Sequence, residues 1–204
     1  ARGEDWRAVS RAAFGGAGSW GNGGAMRAAP IGAWYAGDPA LAAAEGAASA
    51  EPTHAHPEGI DGAAAVAAAA AYTAGTAREG AACFDRNSFF SAVLDVLGPS
   101  RVREGIGKAQ NLGDVPAARA AWSLGSGMAV AAFDTVPFCL WVAARRPFDY
   151  AAALREAAAG IDRDTTCAIV GGIVVLSDPG GVPEAWARAA EPLPDSITRK
   201  LLES

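Results

Sequence analysis

Alanine dominates residues 58–74, and this run limits the folds open to the chain more than any other feature. Alanine has the highest intrinsic helix propensity, and its small side chain lets a neighbouring helix approach closely. Pro57, just before the run, is acceptable in a first helical turn, where its missing N–H would have no intrahelical partner. The run therefore predicts a helix that packs tightly against its neighbours.

Proline and glycine mark further helix boundaries. Asp38 can cap a helix with Pro39 in its first turn. No segment shows the apolar alternation of a strand. The predicted fold is all-α, one domain over residues 1–204, with roughly eight to ten helices and short connections. Besides residues 58–74, helices are expected at 4–13, 26–35 (interrupted at Pro30), 40–49, 85–97, 100–111, 115–122, 128–144 (the longest core helix, kinked or broken at Pro137), 148–158, 167–176 (with a possible start in the acidic residues just before it), from 182 onward and 196–202.

Charge and cysteine content narrow the class of protein. The formal net charge is -5 without any basic block or stripe, so nucleic-acid binding has no support. The longest apolar runs, near residues 62–74 and 166–177, are too short to cross a membrane. Cys83, Cys139 and Cys167 lie in apolar contexts without Cys-x-x-Cys spacing. They are typical of reduced core thiols, which favours a cytoplasmic protein.

An acidic stretch, residues 160–166, offers hard oxygen ligands ahead of an apolar run. Asp162 and Asp164 are followed directly by Thr165, and these oxygens suit Mg²⁺, Mn²⁺ or Ca²⁺. The pattern also fits a capped helix with acidic residues in its first turn, or a glycosidase acid and base. Carboxyls this close together favour a shared cation over a glycosidase pair. Gly171-Gly172, in the run that follows, predicts close approach of another helix.

A glycine loop, residues 18–27, opens a predicted helix. The backbone N–H groups of such a loop can surround a phosphate. Trp20 could supply a stacking face, Asn22 an orienting amide and Arg27 a positive charge. An ordinary flexible turn with a surface arginine explains the same composition, so composition alone leaves both interpretations open.

A His-x-His pair, His54 and His56, lies in a second loop. Two such imidazoles can bind zinc, but no cysteine, glutamate or third histidine lies at ligand spacing. A hydrogen bond to backbone or to a ligand is the simpler interpretation of either ring.

Taken together, these stretches resemble the motifs of the ADP-ribosylglycohydrolase family. Residues 18–32 resemble its signature loop, residues 53–57 its next motif and residues 162–172 its C-terminal metal motif. Residues 182–186 resemble the closing Ile/Val-Pro-x-x-Trp. Motif order and spacing agree from end to end, so the resemblance covers essentially the whole chain.

The resemblance implies a compact orthogonal multi-helix bundle with two Mg²⁺ ions, which Mn²⁺ could replace. It implies hydrolysis of ADP-ribosyl linkages in modified proteins or small molecules, so ADP-ribose or an ADP-ribosylated protein is the expected partner. Asp162, Asp164 and Thr165 correspond to metal ligands. His54, rather than His56, corresponds to the ligand-contacting histidine. The remaining expected ADP-ribose-binding residues are Ser19, Trp20, Gly21, Asn22, Gly23, Gly24, Met26 and Arg27.

The sequence departs from the family pattern in several places. Ile161 stands for a usual glycine, Arg163 for a threonine and Trp20 for a tyrosine. The family's N-terminal segment carries a Thr-Asp-Asp metal motif and an acidic catalytic residue, and no Thr-Asp-Asp occurs among the 204 residues. The resemblance is therefore to the larger, C-terminal part of a family member, and the catalytic residue is expected upstream of Ala1.

This departure sets the activity expected of residues 1–204 alone. We expect weak Mg²⁺ affinity and no appreciable hydrolysis until the upstream segment is supplied. Turnover without it would mean that another acidic group, such as Glu51 or Glu58, completes the site. The alternatives are an ADP-ribose-binding protein without catalysis and a structural protein on the same fold.

Overall fold

The computed structural model describes residues 5–80 and 83–192, together with Gly3 and Pro194. This part of the chain contains eleven α-helices, and its only β-structure is one antiparallel bridge between Gly21 and Ala131. The all-α prediction is confirmed. The helices are α1 (Trp6–Gly16), α2 (Ala29–Trp34), α3 (Pro39–Ala50), α4 (Pro57–Glu79), α5 (Arg86–Leu94), α6 (Arg101–Asn111), α7 (Ala117–Leu124), α8 (Val136–Arg145), α9 (Tyr150–Ala157), α10 (Arg163–Val174) and α11 (Glu184–Ala189).

Helix α4 is the centre of the fold, and α2 and α3 pack directly against it. Its alanine-rich segment, residues 63–71, is buried throughout. A Cβ at Gly46 of α3 would lie 2.8 Å from the Ala67 Cβ. At Gly32 of α2 it would lie 2.3 Å from the Ala67 carbonyl oxygen. The predicted tight packing is confirmed, and it depends on glycine facing alanine.

Helix α8 forms the second half of the core, between α6, α9 and α10. Phe138, Leu140 and Trp141 are buried in it. Helix α10 approaches α2 closely, because a Cβ at Gly172 would lie 2.8 Å from the Ala29 Cβ. The glycine pair of α10 therefore allows the close helix approach that the sequence predicted.

Two predicted helices are wrong in extent. Residues 128–144 are not one helix, because α8 begins at Val136 and Pro137 lies in its first turn. The residues before it form a loop that ends in a 3-10 turn, Ala132–Asp134. Pro30 likewise lies in the first turn of α2 instead of interrupting a longer helix. In both places proline begins a helix, since its missing N–H is harmless only there.

Two other helix ends agree with the sequence analysis. Helix α10 begins at Arg163, so Asp164 lies in its first turn, as the interpretation of the acidic stretch as a helix start predicted. Helical backbone in α1 breaks at Ala13, close to the predicted end at residue 13. The helix predicted at residues 196–202 lies outside the described residues. Within the described ranges, no helix is both long and apolar enough to span a membrane.

Substitution of glycine by alanine tests the α3–α4 contact. Gly46→Ala should lower the free energy of unfolding by about 1–3 kcal/mol, because the new methyl group overpacks against Ala67 and the Ala63 carbonyl. Gly107→Ala is the matched control, since Gly107 lies inside α6 with nothing within 4 Å of its Cβ position. That change should stabilise the chain by up to about 1 kcal/mol through helix propensity. Urea denaturation measures both, and equal stabilisation by the two changes would contradict close packing at Gly46.

Candidate functional site

Two loops meet above the N-terminal end of α4. The glycine loop pairs with residues 125–135, which we call the bridge loop. The Asn22 N–H donates to the Val130 carbonyl at 3.2 Å, and the Ala132 N–H donates to the Trp20 carbonyl at 2.9 Å. This pairing fixes the two loops side by side.

Glycines in the first turns of α4 permit this arrangement. A Cβ at Gly59 would lie 2.6 Å from the Ser19 carbonyl oxygen and 3.1 Å from the His54 Cβ. A Cβ at Gly62 would lie 2.6 Å from the Ala132 Cβ. Both loops therefore contact the N-terminal end of α4 at positions where glycine has no side chain.

An open cleft of about 420 Å³ lies at the meeting point of the loops. Most of the predicted ADP-ribose-binding residues line it, and so do three residues that the sequence analysis did not select. The lining residues are Phe14, Ser19, Trp20, Gly21, Asn22, Gly23, His54, Ala129 and Val130. His56 is not among them: its Nδ1 accepts the Glu58 N–H at 3.1 Å and caps α4.

The His54 ring lies directly against the backbone of the glycine loop. A Cβ at Gly23 would lie 3.1 Å from the His54 Nε2, and one at Gly21 would lie 3.2 Å from it. Any side chain at these positions would press on the imidazole. The glycines are therefore required for the ring to approach the loop.

Arg27 is connected to His54 by hydrogen bonds through the side chain of Thr53. The Arg27 Nη2 donates to the Ser49 carbonyl at 3.0 Å and to the Thr53 Oγ1 at 2.8 Å. The Thr53 Oγ1 lies 2.8 Å from the His54 Nδ1. Burial lowers the pKa of His54, and the positive charge of Arg27 lowers it further. A neutral imidazole is favoured at this wall of the cleft.

Gly24 and Met26 lie away from the cleft opening. Gly24 is buried, and a Cβ there would lie 3.2 Å from the Ala50 Cβ. The Met26 sulfur lies 3.9 Å from the Thr165 Oγ1. These two residues connect the glycine loop to the core and to the acidic stretch instead of lining the cleft.

Asp162 occupies the N-cap position of α10, but its side chain makes no capping hydrogen bond. Its Oδ2 accepts from the Asn22 Nδ2 at 2.7 Å instead. Five other aspartates at helix starts do accept a backbone N–H of their own helix. They are Asp5, Asp38, Asp85, Asp149 and Asp178. Simple helix capping therefore does not account for Asp162.

The bridge loop holds the backbone at Asp162 from the other side. The Ser126 carbonyl accepts the Ile161 N–H at 2.7 Å and the Asp162 N–H at 3.3 Å. A Cβ at Gly127 would lie 2.4 Å from the Asp162 Cβ. Asp162 is thus enclosed between the bridge loop and Asn22, and its carboxylate is one hydrogen bond away from a residue that lines the cleft.

The acidic stretch has oxygen donors that could hold a hard cation. Asp164 is exposed in the first turn of α10, and Thr165 is buried beside it. Together with Asp162 they offer two carboxylates and a hydroxyl, a donor set that fits Mg²⁺ or Mn²⁺. In residues 5–80 and 83–192, no group of three or more histidines, cysteines and acidic residues is placed to hold a metal. These three residues alone could form only part of a cation site, and a zinc site at His54 and His56 gains no support.

Sequence reasoning did not select Phe14, Val130 and Thr135. Phe14 is exposed next to Trp20, with their ring centroids 6.2 Å apart. Val130 has a φ of 52°, which is unusual for a β-branched residue and marks a constrained loop. The Thr135 Oγ1 accepts from Asn22 across 113 positions of sequence. No local pattern identifies such a partner.

Residues 1–203 match the family model described as ADP-ribosylglycohydrolase. The match includes the glycine loop, His54 and the acidic stretch, which the fold brings together through Gly23 and Asn22. No curated protein shows significant similarity to the chain.

Proton titration tests the environment of His54. The midpoint of its Cε1–H signal in NMR should lie below 6.5, because burial and Arg27 both disfavour the imidazolium. Arg27→Gln should raise the midpoint only part of the way, since burial is the larger cause. A titration midpoint above 6.5 would contradict this environment.

The lowered pKa of His54 also predicts a pH dependence of stability. The imidazole binds a proton more tightly in the unfolded chain, so the folded state loses stability as the pH falls from 6.5 to the lowered pKa of the folded chain. His54→Gln should reduce this loss, measured as the pH dependence of the free energy of unfolding.

Proposed function

The chain belongs to the ADP-ribosylglycohydrolase family, and on that premise we propose that it binds ADP-ribose in the cleft and serves the Mg²⁺-dependent removal of ADP-ribosyl groups from proteins or small molecules. One observation carries the proposal. Asn22, on the wall of the cleft, donates a hydrogen bond of 2.7 Å to Asp162, the helix-start aspartate whose side chain caps no helix. A ligand in the cleft and a cation on Asp162 would therefore be neighbours.

The aromatic wall of the cleft suits a planar base. The Trp20 ring is 42% exposed, and it is supported on one side by Phe14 and on its edge by His56. An exposed indole that two neighbouring rings hold in place can stack on any nucleobase without a change in its own position. Adenine would lie against Trp20 and Phe14.

The glycine loop suits a diphosphate. The Gly23 N–H has no hydrogen-bond partner within the described part of the chain, and Gly23 lines the cleft. A free backbone N–H next to a neutral imidazole can donate to a phosphate oxygen. Remote binding of the base and the diphosphate would then place the distal ribose near the acidic stretch, which is how binding energy positions a scissile bond.

The acidic stretch would hold the cation through Asp162, Asp164 and Thr165. Mg²⁺, when bound, would act as a template and stabilise negative charge near the sugar. The chain's own contribution is to orient the ligands. Asn22 fixes one oxygen of Asp162, and the start of α10 fixes the spacing of the other two residues.

A second candidate is ADP-ribose binding without hydrolysis. It is favoured by the incomplete donor set, since the described residues place no third carboxylate or imidazole with Asp162 and Asp164. Glu58, a possible extra ligand, already accepts the Arg101 and Val102 N–H groups at 2.9 and 3.0 Å. Hydrolysis in the presence and absence of an added Thr-Asp-Asp segment separates the two candidates.

Calorimetry with ADP-ribose tests the binding site. Trp20→Ala should weaken ADP-ribose binding about tenfold or more, because base stacking contributes ~1–3 kcal/mol. The same change should leave binding of ribose 5-phosphate, which lacks the base, nearly unaltered. Trp122→Ala is the matched control, because Trp122 is 88% exposed on α7 and does not line the cleft. Equal effects of the two variants on ADP-ribose would refute stacking on Trp20.

Release of ADP-ribose from modified proteins tests the cation site. In a chain supplied with a Thr-Asp-Asp segment, Asp164→Asn should abolish Mg²⁺-dependent release, because an amide replaces an anionic ligand. Asp149→Asn provides the control: Asp149 caps α9, and asparagine caps a helix about as well. We expect Asp149→Asn to retain full activity. Retained activity in Asp164→Asn would exclude Asp164 as a ligand.

A further inference from the structure

Three polar side chains from distant parts of the chain form one buried network. The Asn22 Nδ2 donates to the Asp162 Oδ2 at 2.7 Å and to the Thr135 Oγ1 at 2.9 Å. The Thr135 Oγ1 donates in turn to the Ala131 carbonyl at 2.9 Å. Asn22 is 2% exposed and Thr135 is fully buried, so the bond between them is shielded from water, whereas Asp162 is half-buried.

The chemistry of the groups fixes the direction of every bond in the network. An ionised carboxylate only accepts hydrogen bonds, so the Asn22 amide must present its NH₂ group to Asp162. The single hydroxyl proton of Thr135 points to Ala131, which leaves a lone pair for the second amide proton of Asn22. Both protons of the Asn22 amide are therefore used inside the protein.

Thr135 takes part in this network and does not cap its own helix. It occupies the N-cap position of α8, where a threonine hydroxyl commonly accepts a backbone N–H. Its side chain makes no such bond. Thr135 and Asp162 thus both begin helices without capping them, and both bond to Asn22 instead.

We propose that Thr135 is a positioning residue for the cation site: its hydroxyl fixes the Asn22 amide, and this amide holds Asp162 in the orientation that binds a divalent cation. The inference rests on the proposed function, because Asp162 is a ligand only if that function is right. Without the Thr135 hydroxyl, one amide proton of Asn22 is buried without an acceptor, so the amide must turn or shift. Asp162 then loses its fixed partner.

The inference also changes the role of Asn22. Its amide protons are occupied, so it is not free to donate them to a phosphate in the cleft. Its amide joins Asp162 to Thr135 inside the protein, while Gly21 and Gly23 on either side of it line the cleft. Asn22 therefore links the cleft to the cation site, and loss of its side chain should disturb cation binding at least as much as ligand binding.

Two substitutions at Thr135 test the proposal. Thr135→Val keeps the shape and removes the hydroxyl, whereas Thr135→Ser keeps the hydroxyl. Thr73→Val is the matched control: Thr73 is buried in α4, and its hydroxyl also donates to a carbonyl four residues earlier, that of Ala69, at 2.9 Å. A loss of stability alone would therefore be similar in Thr135→Val and Thr73→Val.

Cation affinity is measured with Mn²⁺ alone, by paramagnetic broadening of NMR signals. Thr135→Val should weaken Mn²⁺ binding on the order of tenfold or more, which is typical for loss of a group that orients a ligand. Thr135→Ser should restore most of the affinity, and Thr73→Val should leave it unchanged. Asp162→Asn serves as the reference, because it removes the ligand itself.

The metal-free chain gives a second readout. Exchange of the Asn22 Nδ2 protons with solvent should be slower than that of Asn87, which is exposed on α5. Thr135→Val should accelerate exchange at Asn22, and Thr73→Val should not. Equal exchange at Asn22 and Asn87 in the unaltered chain would overturn the network and the inference with it.

The outcomes separate the inference from the proposed function. If Asp162→Asn weakens Mn²⁺ binding and Thr135→Val does not, Thr135 has no positioning role, but the proposed cation site stands. If Asp162→Asn has no effect on Mn²⁺ binding, the cation site itself is wrong, and the positioning role is overturned with it.

Discussion

The close approach of two loops to glycines in the N-terminal turns of α4 is the constraint on which the rest of the structure depends. Gly59 admits the glycine loop and His54, and Gly62 admits the bridge loop. Further along the helix, buried alanines receive α2 and α3 in the same way. One helix of small residues thus sets both the packing of the core and the distance between the two loops that form the cleft. A larger side chain at Gly59 or Gly62 would push the adjoining loop away from the helix.

The site is built from residues that do not make the hydrogen bonds expected of them locally. Asp162 and Thr135 begin helices without capping them. Asn22 lies in a turn, yet its side chain bonds across the fold. Each local bond given up has a modest cost, of about 1 kcal/mol for a missing cap. In return, the Asp162 carboxylate is bonded to Asn22, a residue that lines the cleft, instead of to the backbone of its own helix.

The sequence was sufficient to predict the helical class, the tight packing of residues 58–74, the cap at Asp38 and the helix start at Pro57, because these depend on propensity and nearest neighbours. It also selected most residues that line the cleft. It failed in residues 128–135, where an apolar composition suggested helix but the chain pairs with the glycine loop. It could not distinguish Asp162 from the capping aspartates, since the difference is made by Asn22, 140 positions away.

The hydrogen bonds of Asn22 also tie the site to the folding of the whole chain. They join segments separated by 113 and 140 residues, so the network exists only after the most distant parts of the sequence have met. Contacts of this separation carry the largest entropy of loop closure and slow the folding of a domain. The hydrogen-bonded arrangement of Asn22, Thr135 and Asp162, and with it the proposed cation site, is therefore absent from any partly folded intermediate in which these segments have not met. A ligand that binds there recognises the completed fold alone and shifts the folding equilibrium toward it by mass action.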